Sequence, residues 1–133
     1  MQLRLIAVLA IGAVLLTGCA GSSQTKAAAC TSLLASTDRV TTDLNSSLTS
    51  LTSDPAASMK TLTGASATFH TGVSKISNSE VRAVADKADS AVKALATEIN
   101  AALDEPASAD SAKLTSASNA VSSAFVTVRD LCK

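Results

Sequence analysis

The stretch VRAVADKADSAVKALATEINAAL, residues 81–103, decides the fold. Its apolar side chains Val81, Val84 with Ala85, Ala88, Val92, Leu95, Ile99 and Leu103 recur three and four apart, which lines one face of an α-helix. A half-buried strand would alternate apolar and polar residues one by one, and this stretch does not. Arg82 with Asp86 and Asp89 with Lys93 stand four apart and read as i,i+4 helix pairs, each contributing at most ~0.5 kcal/mol.

The same rhythm runs through the neighbouring segments. Upstream, Met59, Leu62, Ser66, Phe69, Val73 and Ile76 alternate threes and fours, and Ser77-Asn78-Ser79-Glu80 fits a capping box between the two helices. Further back come Cys30, Leu33 with Leu34, Thr37, Val40, Leu44, Leu48 and Leu51, closed by Ser53-Asp54-Pro55 as cap and first-turn proline. Downstream, Asp104-Glu105-Pro106 breaks the third helix. A fourth then follows at Leu114, Ala117, Val121, Ala124 with Phe125, Val128, and Leu131 with Cys132. Four amphipathic segments joined by short turns predict an all-α domain, an antiparallel up-down four-helix bundle over residues 26–133. Ser and Thr are mediocre helix formers, so tertiary burial rather than propensity must hold these helices.

The N-terminus is of another kind. Arg4 is the only charged side chain before an uninterrupted apolar run from Leu5 to Leu16, which is shorter than the ~20 residues a membrane-spanning helix needs. Charge, length and position fit a signal peptide. Its end, Leu16-Thr17-Gly18-Cys19, resembles the lipobox of bacterial lipoproteins. The resemblance covers residues 1–19 only. It implies cleavage of residues 1–18, diacylglyceryl on the Cys19 thiol, further acylation with fatty acids such as palmitate, and an anchor on the extracytoplasmic face of a membrane. Two or more acyl chains suffice for stable membrane residence. Ala20-Gly21-Ser22-Ser23-Gln24-Thr25 then reads as a tether, so residues 19–25 form a lipidated linker.

With Cys19 assigned to lipid, Cys30 and Cys132 remain. In an up-down bundle with an even number of helices, the first turn of the first and the last turn of the fourth lie at one end. A disulfide there is natural in an exported domain. Closing a loop of about a hundred residues stabilises by ~4–5 kcal/mol on chain-entropy reasoning. Two free, buried thiols are the alternative. A metal site would need more ligands than these cysteines and His70.

Function classes narrow mainly by elimination. The chain carries 11 basic and 11 acidic side chains, scattered, with no Trp, no Tyr and two Phe. It has neither a basic stripe for phosphates nor stacking platforms for bases, so nucleic acid is not an expected partner. His70 has no nucleophile or glycine-rich loop at a telling spacing, and a seam-edge histidine explains it. Asp104, Glu105 and Asp110 lack the ligand pattern of a calcium loop. No enzyme activity, cofactor or metal is therefore expected. Gly64 and Gly72 interrupt the second helix at ~1 kcal/mol each, which suggests close helix packing. The alternative is a candidate apolar pocket formed by Ser66, Phe69, Gly72, Ala88 and Ala117. The expected function is a lipid-anchored envelope scaffold or binding module, with an envelope protein as its expected partner; the rival is a carrier or sensor of an acyl chain or lipid held between helices.

Overall fold

The computed structural model describes residues 24–133, so the expected signal peptide, Cys19 and the expected tether up to Ser23 lie outside the described residues. Four helices follow: α1 (Lys26–Ser50), α2 (Pro55–Ser74), α3 (Ser79–Asp104) and α4 (Ser111–Leu131). A single 3-10 turn, Pro106–Ser108, lies between the last two, and there is no strand among the described residues. Every helix starts on a side-chain cap. Thr25 Oγ1 accepts from the Ala28 amide at 3.2 Å, and Asp54 Oδ1 from Ala57 at 3.0 Å with Pro55 in the first turn. Asp110 Oδ1 accepts from both Ala112 and Lys113. Each such cap contributes about 1 kcal/mol.

The cap of α3 differs from the capping box expected there. Asn78, not Ser77, caps it, its Oδ1 accepting from the Val81 amide at 3.1 Å. Ser77 and Glu80 are engaged elsewhere. The Gln24 amide donates to Ser77 Oγ, the Ser77 amide donates to Gln24 Oε1, and Lys26 Nζ reaches Glu80 at 2.9 Å. A local box was available, but contacts between the start of α1 and the α2–α3 turn replaced it.

The hydroxyl-rich helices satisfy themselves. Thr37 and Ser47 are buried on α1, and their hydroxyls donate to the carbonyls of Leu33 and Asp43, four residues back. Each of these two buried hydroxyls thus has a partner and escapes the cost of unpaired burial. Larger side chains fill the rest of the core. Phe69 and Phe125 meet with ring centroids 5.9 Å apart and tilted by 56°, surrounded by Leu33, Val73, Val81, Val92 and Val128. This aromatic pair adds to the area it buries.

α1 packs closely on α2, and α3 packs on both α2 and α4, whereas α1 and α4 meet sparingly. They are joined covalently instead: Cys30 and Cys132 form a disulfide with Cα atoms 5.4 Å apart. Gly72 accounts for part of the α1–α2 closeness. A Cβ there would sit 2.7 Å from Ser36 Oγ, so only hydrogen fits without moving that hydroxyl. Gly64 is different: a Cβ there would meet nothing within 4 Å. Close packing explains Gly72 and leaves Gly64 without a packing role.

Candidate functional site

A wide gap in the packing runs between α1 and α4. Leu44, Leu48 and Leu51 line it from α1, and Leu114, Phe125 and Val126 from α4. α3 contributes Leu95, Ile99 and Leu103, and the resulting open groove holds about 600 Å³. Leu48 is 56% exposed and Val126 53% exposed, the two exposed large apolar side chains among the described residues. An exposed apolar patch of this kind is a common mark of a binding surface.

Its origin can be followed along α1. The inward positions are Cys30, Leu33, Thr37, Val40 and then Ser47. Leu48, one residue beyond Ser47, is turned away by the ~100° that separates neighbours on a helix. Serines make the close contact at this end, with Ser50 Oγ and Ser58 Oγ 2.9 Å apart between α1 and α2. Small residues let α1 lie close to α2, and the leucines are left facing the gap toward α4. The sequence pattern placed Leu48 in the core seam; the structure corrects this, because Ser47 takes the inward position.

The residues expected to form a pocket at the second helix are placed as follows. Phe69, Ala88 and Ala117 are buried in the core, and Ser66 is half-buried on α2. Phe69 and Gly72 also border an open cleft of about 500 Å³ between α1 and α2. That cleft is rimmed by Arg39, Asp43, Thr68 and Lys75, a polar lining unlike the groove. Except for Val126, the apolar groove residues named above were present in the sequence signal, but periodicity assigned them to the interior and could not show which helix pair would stay apart.

A polar cluster lies on the α2–α3 seam. His70 Nδ1 and Lys93 Nζ each stand 2.8 Å from Asp89 Oδ2, and the two nitrogens are 2.9 Å from each other. An Nδ1–H donated to the carboxylate cannot also accept from the ammonium, so Asp89 is the shared acceptor. Asp89 is only 6% exposed, and its Oδ1 is buried without a partner in the protein. Sequence spacing gave the Asp89–Lys93 pair; His70 joins it through tertiary packing. The cluster ties α2 to α3. Arg82 pairs with Asp86 and also donates to the carbonyls of Ser74 and Ile76, finishing the C-terminus of α2.

Among the acidic residues near the α3–α4 turn, Asp110 caps α4 and Glu105 accepts from the Ser108 hydroxyl. Among the described residues, no group of three His, Cys, Asp or Glu side chains is gathered as metal ligands would be. Nor is any described helix long and apolar enough to cross a membrane. Comparison of the chain with protein-family models, with curated proteins and with solved structures finds no match.

Proposed function

We propose that the chain is a non-enzymatic lipoprotein of the cell envelope, cut before Cys19 and held by lipid on the extracytoplasmic face of a membrane. Its domain, an antiparallel up-down bundle in this reading, serves as a binding module for another envelope component. The α1–α4 groove is the observation that carries the proposal. The Cys30–Cys132 disulfide supports an oxidising compartment, since such bonds persist outside the cytosol. Gln24 contacts the α2–α3 turn, so the chain leads toward Cys19 from that end of the bundle. Leu48 and Leu51 sit at the other end of α1, a helix of 25 residues, or roughly 37 Å at 1.5 Å per residue. In this reading the apolar end of the groove stands off the membrane, toward partners in the aqueous envelope.

Carriage of a small apolar ligand is the second reading, and the groove volume supports it, because ligand sites run to about 300–1,000 Å³. Both readings are tested on the anchored protein. A photocrosslinking residue at Ser118, on the groove, should give a discrete adduct that Leu48→Asp abolishes. The same residue at Thr61, exposed on α2, should give none. Equal adducts from the two positions would remove the groove from the function. In parallel, Cys19→Ala should end labelling by a fatty-acid analogue in cells, and labelling that survives would overturn the anchor.

A further inference from the structure

The lining of the groove is uncharged except at one place. Thr41 and Asn45 on α1, and Ser118 and Ser122 on α4, supply neutral polar groups; Arg129, in the last turn of α4, supplies the single charge. Among the described residues Arg129 makes no ion pair. Its acidic neighbour Asp130 is engaged with Lys133 at 2.6 Å. The position complements the α4 dipole, but that role leaves the guanidinium donors open to a further partner. Arginine's planar fork of donors matches carboxylate and phosphate oxygens.

An apolar trough with one cation at its end is complementary to a particular class of guest. We propose that the groove binds an amphiphile with an anionic head, its carboxylate or phosphate at Arg129 and its acyl chain running along α4 toward Leu114. Lengths agree. Leu114 to Arg129 spans roughly 22 Å at helical rise, and an acyl chain covering half of a ~30 Å bilayer core needs about 15 Å. A cationic amphiphile would be repelled at Arg129, and a purely apolar guest would gain nothing there. This inference rests on the groove being the binding surface.

The test uses isolated membranes carrying the anchored protein, where no acyl transfer confuses the labelling. Three diazirine probes are photolysed and the labelled peptides mapped: a fatty acid, the fatty alcohol with the same tail, and a phosphatidic acid. Labelling of α1 44–51 and α4 114–129 by either anionic probe, and several-fold less by the alcohol, is the expected result. Whichever anion labels more identifies the source of the head group. Arg129→Gln should weaken anionic labelling roughly two- to fivefold, the range of an exposed charge pair, and leave the alcohol unchanged. Ser118→Phe should fill the groove and suppress all labelling with an unchanged melting temperature. Alcohol labelling equal to acid labelling, or indifference to Arg129→Gln, overturns the proposal. Absence of labelling with intact Ser118 adducts also overturns it, while the binding-module reading stands.

Discussion

The α2–α3 side and the α1–α4 side of the bundle are written in the same three-four apolar rhythm, yet one is closed and the other open. On the closed side a four-residue turn connects the helices, and Asn78, Arg82 and Gln24 seal it with hydrogen bonds. Behind that turn, Val73, Ile76, Val81 and Ala85 are all buried, and His70, Asp89 and Lys93 add a polar clasp outside them. No turn connects α1 with α4. One disulfide holds them at one end, and beyond it the leucines of α1 face Phe125 and Val126 across a gap. An apolar stripe specifies that a helix has something to bury. It does not specify that a partner arrives close enough to bury it.

The largest effect expected from breaking this arrangement is at the disulfide. Cys30→Ser or Cys132→Ser should remove ~4–5 kcal/mol and lower the melting temperature by more than about ten degrees, given ~4–8 °C per kcal/mol for a domain of this size. Calorimetry with and without reductant checks it. A small shift would mean that the sparse α1–α4 contacts hold that side by themselves.

Next comes a buried leucine on α2. Leu62 is 2% exposed, and Leu62→Ala should cost ~2–5 kcal/mol in urea unfolding, through lost transfer energy and the cavity left behind. Gly64→Ala should act in the opposite direction, stabilising by ~0.5–1 kcal/mol, because the methyl group meets nothing and the helix gains propensity. Smallest of all is the groove counterpart, Leu48→Ala, which should stay within ~0.5 kcal/mol, as for a surface substitution. If Leu48→Ala cost as much as Leu62→Ala, the groove would be closed in solution and the contrast between the two sides would fail.

Comparison of pattern with packing shows where each kind of information resides. Asp54-Pro55 announced the start of α2 because an N-cap acceptor and a fixed proline φ act within one turn and need no partner. Asp104-Glu105-Pro106 announced the end of α3 for the same reason. Ser77-Asn78-Ser79-Glu80 misled by one residue, since its box competes with Gln24 and Lys26, residues more than fifty positions earlier. Phe69 and Phe125 were visible as seam residues on separate helices, but their contact with each other was not.

The sequence by itself determined four helices, the cap and first-turn proline that open α2, and the two cysteines able to close the bundle; its leader resembles the lipobox of lipid-anchored chains. These follow from interactions a few residues in range, or from a motif read as a linear string. Only the tertiary structure decided that Ser47 rather than Leu48 turns inward, that His70 meets Asp89, and that α1 lies close to α2 and apart from α4. The reason is geometric. Helical periodicity fixes each side chain's direction about its own axis, whereas the distance between axes is set by the side chains that meet there. Ser47, Ser50 and Ser58 let α1 approach α2, and that approach leaves an apolar groove with Arg129 at its end.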